Sequence, residues 1–109
     1  MFSGIFVFES NLAIFKVHFP GYPVVPGSMI VDRFICEIKR ITGCDITSIK
    51  VKNFKFLKFI PPGNYKFSIK YEKQRYICML YEDNKTIVVK GEIFVGDENA
   101  KRKLSYTWG

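Results

Sequence analysis

The chain's one histidine, His18, opens a segment dense in proline and glycine, and an aspartate, Asp32, follows fourteen residues later (32 − 18 = 14). Imidazole titrates near neutrality and accepts a proton readily. A carboxyl group kept inside a fold is held protonated by desolvation and can donate to a leaving hydroxyl. Between the two stands Gly27, at the start of the helix expected below, where N–H groups without intrahelical acceptors can polarise a carbonyl oxygen. A base, an acid and an oxyanion donor are the parts an elimination needs. Taken singly, His18 and Asp32 read as structural residues, one beside a rigid loop and one in a first helical turn. Their spacing around Gly27 favours chemistry.

These groups need elements to hold them. Residues 4–8 and 12–18 are short runs rich in Phe, Ile and Val, separated by Glu9-Ser10-Asn11, and read as two strands or one interrupted strand. Residues 19–27 hold three prolines and two glycines, which excludes helix interior and central strand and leaves an ordered loop. Ile30, Phe34, Ile38 and Ile41 then recur at helical spacing, with Arg33, Glu37 and Arg40 on another side, predicting a helix over 28–42 that Ser28 caps and Gly43 ends. Residues 46–60 are β-rich, but the apolar phase slips between Ile49/Val51 and Phe54/Phe56, so a bulge or change of face is expected near Asn53. After a turn at 61–64, Tyr65, Phe67, Ile69 and Tyr71 form a half-buried strand. Residues 76–81 are apolar on both faces and belong at the centre. A last strand, 86–95, puts Ile87, Val89, Ile93 and Val95 on one face. The expected class is α+β: a curved antiparallel sheet wrapped around one helix, in a single domain over 1–109 with a basic tail from 96 to 109.

Composition narrows the setting. Seventeen Lys and Arg against ten Asp and Glu give a net charge of +7, which favours an acidic partner without naming it. Cys36, Cys44 and Cys78 are odd in number and lack metal-ligand spacing, so neither a disulfide framework nor a metal site is expected. Cys36 reads as a packed small hydrophobe and Ser28 as a cap rather than a nucleophile. The first nine residues lack the pattern of a signal peptide and no apolar stretch approaches a membrane span, which predicts a soluble, cytoplasmic chain with no membrane partner. Lys50, Lys52, Lys55 and Lys58 alternate with Phe54, Phe56 and Phe59; a sheet with a solvated basic side explains this better than nucleic-acid binding.

From His18 through Gly27 the chain reads His-Phe-Pro-Gly-Tyr-Pro-Val-Val-Pro-Gly. This resembles the His-Phe-x-Gly-x-Pro-x-x-Pro-Gly motif of β-hydroxyacyl-acyl carrier protein dehydratases, whose acid also lies fourteen residues after the histidine. A weaker echo is Phe56-Leu-Lys-Phe-Ile-Pro-Pro-Gly-Asn64, similar to the stretch with which those proteins enter a sheet strand. The resemblance, over roughly residues 12–95, implies a hotdog fold and conversion of a (3R)-hydroxyacyl thioester to the trans-2-enoyl thioester. It makes His18 the base, Asp32 the acid, the Gly27 N–H the donor to the thioester oxygen, and the Val24 carbonyl the group that orients His18. No metal or cofactor is implied beyond the carrier's phosphopantetheine or CoA. The implied partners are acyl carrier protein and a second copy of the chain, with base and acid coming from different subunits. The chain departs from the family pattern at Cys36, where bacterial members usually carry Gln, and at Arg33, where they carry a small residue. Thioester hydrolysis or isomerisation in the same pocket, or acyl and carrier binding without catalysis, are the alternatives the residues leave open.

Overall fold

The structure, a computed structural model, describes residues 1–9, 24–43 and 48–96. The expected strand over 12–18, His18 and Cys44 lie outside these residues, as does all but the first residue of the 96–109 tail.

Strand β1 (Phe2–Phe8) is followed by helix α1 (Gly27–Thr42) and then by β2 (Ser48–Phe56), β3 (Gly63–Glu72), β4 (Arg75–Tyr81) and β5 (Ile87–Gly96). The strands form one antiparallel sheet in the order β1-β3-β4-β5-β2. β4, the run apolar on both sides, takes the central place that its composition demands, and β1 and β2 form the edges.

Alternation along the strands turns one row of side chains toward the helix. Phe6 and Phe8 of β1, Tyr65, Phe67 and Ile69 of β3, Cys78 and Leu80 of β4, and Val89 and Ile93 of β5 join Ile30, Phe34 and Ile38 of α1 in one buried cluster. Phe6 stacks on Phe67 with ring centroids 4.0 Å apart and meets Phe34 edge-on at 4.9 Å, so large rings fill the space between helix and sheet. Arg33 spans the outside of this stack, its guanidinium 5.2 Å from the Phe6 ring centroid and 5.7 Å from that of Phe8.

Three expectations are corrected. The helix begins at Gly27, not Ser28: Pro26 occupies the N-cap, and its carbonyl accepts from the N–H groups of Met29 (3.0 Å) and Ile30 (3.2 Å) with no side-chain cap. Ser28 is an exposed residue of the first turn. Ile87 does not continue the inner row of β5. The register slips by one between Leu80/Tyr81 and Val89/Ile87, so the adjacent Val88 and Val89 are both buried while Ile87 pairs with Tyr81. Cys36 is exposed, not packed. The other punctuation falls where expected: Gly43 takes a left-handed φ of 64° and its N–H bonds to the Lys39 carbonyl at 3.0 Å. Asn53, at φ 56°, sits in a bulge where β2 gains one residue on β5 between Lys52 and Lys55.

Candidate active site

Extended backbone brings the chain into α1 as a straight approach. Proline fixes φ at Pro26 (φ −61°, ψ 142°) and disfavours helix at the residue before it. Among the described residues this approach is pinned by a hydrogen bond from the Val25 N–H to the Ile60 carbonyl at 2.9 Å. Ile60 belongs to the connection between β2 and β3, itself held by the Leu57 N–H on the Val88 carbonyl (2.8 Å) and the Tyr65 hydroxyl on the Pro61 carbonyl (2.6 Å). Burial, with Glu82 nearby, pushes the Tyr65 phenol above its usual range and keeps it a neutral donor.

Where these two segments face each other across the helix N-terminus they leave a cavity of about 320 Å³. Val24, Gly27, Ile30, Phe56, Phe59 and Ile60 contribute to its wall, which is almost wholly apolar. Among the described residues the charged side chain on the wall is Lys58, whose ammonium is paired with Glu82 at 2.5 Å. Such a cavity suits an acyl chain. At its helical end, the N–H groups of Gly27 and Ser28 have no intrahelical acceptor, and the positive end of the helix dipole favours developing negative charge there. A side chain at position 27 would press on the Phe56 ring: a Cβ built there would lie 2.9 Å from Cζ of Phe56 and 3.1 Å from Cε1.

Of the residues singled out by sequence, Val24 and Gly27 are brought together in the cavity wall. Asp32 stands apart from them within one chain. It is exposed, and lies two residues on from Ile30, about 200° around the helix from that wall residue. Cys36, four residues further, shares its face. Arg33 points to β1, where it also reaches the Val7 carbonyl at 3.5 Å, so this departure from the family pattern is a packing residue. The placement of His18 lies outside the described residues. Sequence reasoning missed Phe59 and Ile60 as walls of the cavity. The 56–64 echo carries the signal, although the resemblance there points only to the entry to a strand.

The ApeI-like family, described as ApeI dehydratase, matches residues 2–92. No curated protein matches the chain. One chain of the dehydratase heterocomplex ApeI:P from Xenorhabdus doucetiae superposes with a TM-score of 0.69 at 20% identity, covering 85% of this chain and 84% of that one. An uncharacterized protein from Erwinia carotovora subsp. atroseptica superposes with a TM-score of 0.67 at 22% identity, covering 89% and 83% respectively. These likenesses carry the fold: one helix against an antiparallel sheet, the hotdog arrangement. With the match spanning both sheet edges and the helix, the chain belongs to the ApeI-like family of hotdog-type dehydratases.

Proposed function

We propose that the chain removes water from a 3-hydroxyacyl thioester carried on acyl carrier protein or CoA, without metal or cofactor. The observation that carries this reading is the apolar cavity that ends on the Gly27 amide, with Val24 in the same wall. In this reading the thioester oxygen accepts from the Gly27 N–H, which stabilises the negative charge that develops as the C2–H bond breaks. His18 takes that proton, while the Val24 carbonyl holds its other ring N–H. The C3–O bond then breaks with donation of a proton from Asp32, releasing water and the trans-2-enoyl thioester. His18 has gained the proton that Asp32 has lost, and exchange with solvent restores both.

The exposed position of Asp32 gives the reading a quaternary requirement. An acid on the outer helix face cannot serve the cavity of its own chain, so Asp32 of the partner subunit would close the site of a homodimer. Exposed Val51, Phe56, Leu57 and Phe59 along and beyond the edge strand β2 provide apolar surface for such a pairing. The ApeI:P structure is a heterocomplex, which favours a second arrangement in which a different hotdog chain takes the partner's place. The positive net charge would favour an acidic carrier by electrostatic attraction, weakened by salt.

The test is purified protein with 3-hydroxybutyryl and longer thioesters, following enoyl absorbance and, separately, thiol release. Enoyl formation without thiol release is expected. It should fall by about 100-fold or more in His18→Ala and in Asp32→Asn with unchanged melting temperature. Full activity in either variant, or thiol release as the main reaction, would remove this assignment.

A further inference from the structure

The face of the sheet turned away from α1 carries a row of lysines that the dehydratase reading does not use. Lys50, Lys52 and Lys55 of β2, Lys90 of β5, and Lys66 and Lys70 of β3 are all exposed, and strand alternation puts them opposite the inner row of Phe67, Ile69 and Ile93. Two of these cations are accounted for. Lys70 pairs with Glu72 at 3.1 Å, and Lys52 lies over the Phe94 ring at 5.4 Å.

Lys55 and Lys90 differ. They are register partners on adjacent antiparallel strands, directly after the bulge at Asn53. Like charges placed directly opposite each other on a sheet destabilise it. Both line a shallow depression of about 230 Å³ with Ile77 and Met79, and the carboxylate that shares it, Glu92, is already engaged. Its Oε2 accepts from Asn53 Nδ2 at 3.1 Å, and its Oε1 lies 3.1 Å from Arg75 Nε, an ionic contact without hydrogen-bond alignment. Among the described residues neither lysine has a carboxylate partner.

We infer that Lys55 and Lys90, with the Ile77 and Met79 surface beside Lys90 on β4, form a binding site for a phosphate monoester on the outer face of the sheet, the face turned away from α1. The charge count selects the ligand class. A carboxylate offers one charge to two ammonium groups, whereas a phosphate monoester near neutrality carries close to two and presents three acceptor oxygens. Lysine's compact, mobile ammonium suits such an anion without fixing its orientation. The half-buried Ile77 and Met79 give an organic substituent something to lie against, which favours an ester over inorganic phosphate. The same chemistry is offered by a soluble phosphate monoester and by a lipid headgroup of the phosphatidic acid type.

The experiment titrates the purified protein with n-butyl phosphate and, in a second arm, with phosphatidylcholine vesicles with and without phosphatidic acid. Melting temperature and bound fraction are the readouts. Saturable binding is expected in one or both arms; butyl phosphate alone points to a soluble ligand, and dependence on phosphatidic acid to a lipid headgroup. In the Lys55→Gln/Lys90→Gln double variant, affinity should fall about tenfold or more. In the same variant the ligand-free melting temperature should rise by a few degrees, because the opposed charges are gone. Lys66→Gln, on the same face and outside the depression, should change affinity less than about twofold. Equal losses from Lys66→Gln and the double variant would show a diffuse positive field and overturn the site. So would a double variant that melts lower than the parent, or absence of saturable binding in both arms.

Discussion

The hydrogen on the Gly27 Cα is the largest group that position accommodates while the Phe56 ring stays where it is, since a methyl carbon there would approach the ring to 2.9 Å. Phe56 is 43% exposed, so the ring has solvent to move into and the fold absorbs the change. Gly27→Ala is therefore expected to cost less than about 1 kcal/mol of stability but to displace the cavity wall beside the proposed oxyanion donor. The outcome to look for is a fall in kcat/KM of about 10-fold or more that Gly27→Ala/Phe56→Ala partly restores, measured on the shortest thioester turned over. The cysteines separate in the opposite way. Cys78 is fully buried, and burial pushes its thiol up from 9.0 to about 12, whereas Cys36 is exposed. At about pH 8 an alkylating reagent should modify Cys36 on the folded protein and spare Cys78 until denaturant is added, which peptide mass mapping reads directly. The sign of the pH effect follows. A folded-state pKa above the unfolded one means the Cys78 contribution is complete below about pH 9 and is lost as pH rises toward 12. Alkaline stability should decline there by up to about 1.4 kcal/mol per pH unit from this group, tested by denaturant titration across that range.

At the scale of elements, the bulge in β2 decides which side chains reach the core. One extra residue at Asn53 returns Phe54 to the inner face, where its ring lies directly over Gly91 and 6.2 Å from the Phe34 ring. A methyl at position 91 would run into that ring, which the helix prevents from lifting. Gly91→Ala is accordingly expected to cost about 1–3 kcal/mol by urea unfolding. Asn53→Val should cost about 1–2 kcal/mol for its left-handed φ of 56°, while Asn53→Gly spares the backbone and loses only the bond to Glu92. This bulge was legible in the sequence because an alternating pattern that slips by one residue has few other causes. The bulge at Val88 was not: in Ile87-Val88-Val89 every residue is apolar, so the phase carries no information. The helix was legible from Ile30, Phe34 and Ile38, yet its first residue was misplaced because a serine beside a glycine imitates a cap while the Pro26 carbonyl does the work. Of the cavity wall, Gly27 was readable as a helix start, and Val24 entered only through the resemblance. The opposing wall was not, because the bond from Val25 to Ile60 joins positions 35 apart (60 − 25 = 35), and no local pattern encodes that distance.

At the scale of the whole molecule, the proposed mechanism makes a demand that a single chain cannot meet. The cavity opens at the start of α1, and Asp32 lies on the exposed side of the same helix. If the site is completed across a two-fold axis, each cavity uses His18 and Gly27 of one subunit with Asp32 of the other. The arithmetic of mixing then becomes a test of the assembly. His18→Ala and Asp32→Asn homodimers are each expected to be inactive, since every site in them lacks one group. In a mixed dimer one site carries both defects, while the other pairs an intact His18 with an intact Asp32. Random exchange of equal amounts makes about half the dimers mixed, and half of their sites competent, so about a quarter of parental activity should return. Recovery should follow the rate of subunit exchange, rising over time after mixing or at once after joint refolding, and tag-based purification of the mixed dimer should raise it to about half. A mixture that stays silent although mixed dimers are isolated would place the two groups in the same chain's site. Where rescue appears, the Gly27→Ala variant assigns the oxyanion donor to one of the two cavities. Its defect should combine with His18→Ala on one subunit, leaving rescue by Asp32→Asn intact, only if glycine and histidine serve the same cavity.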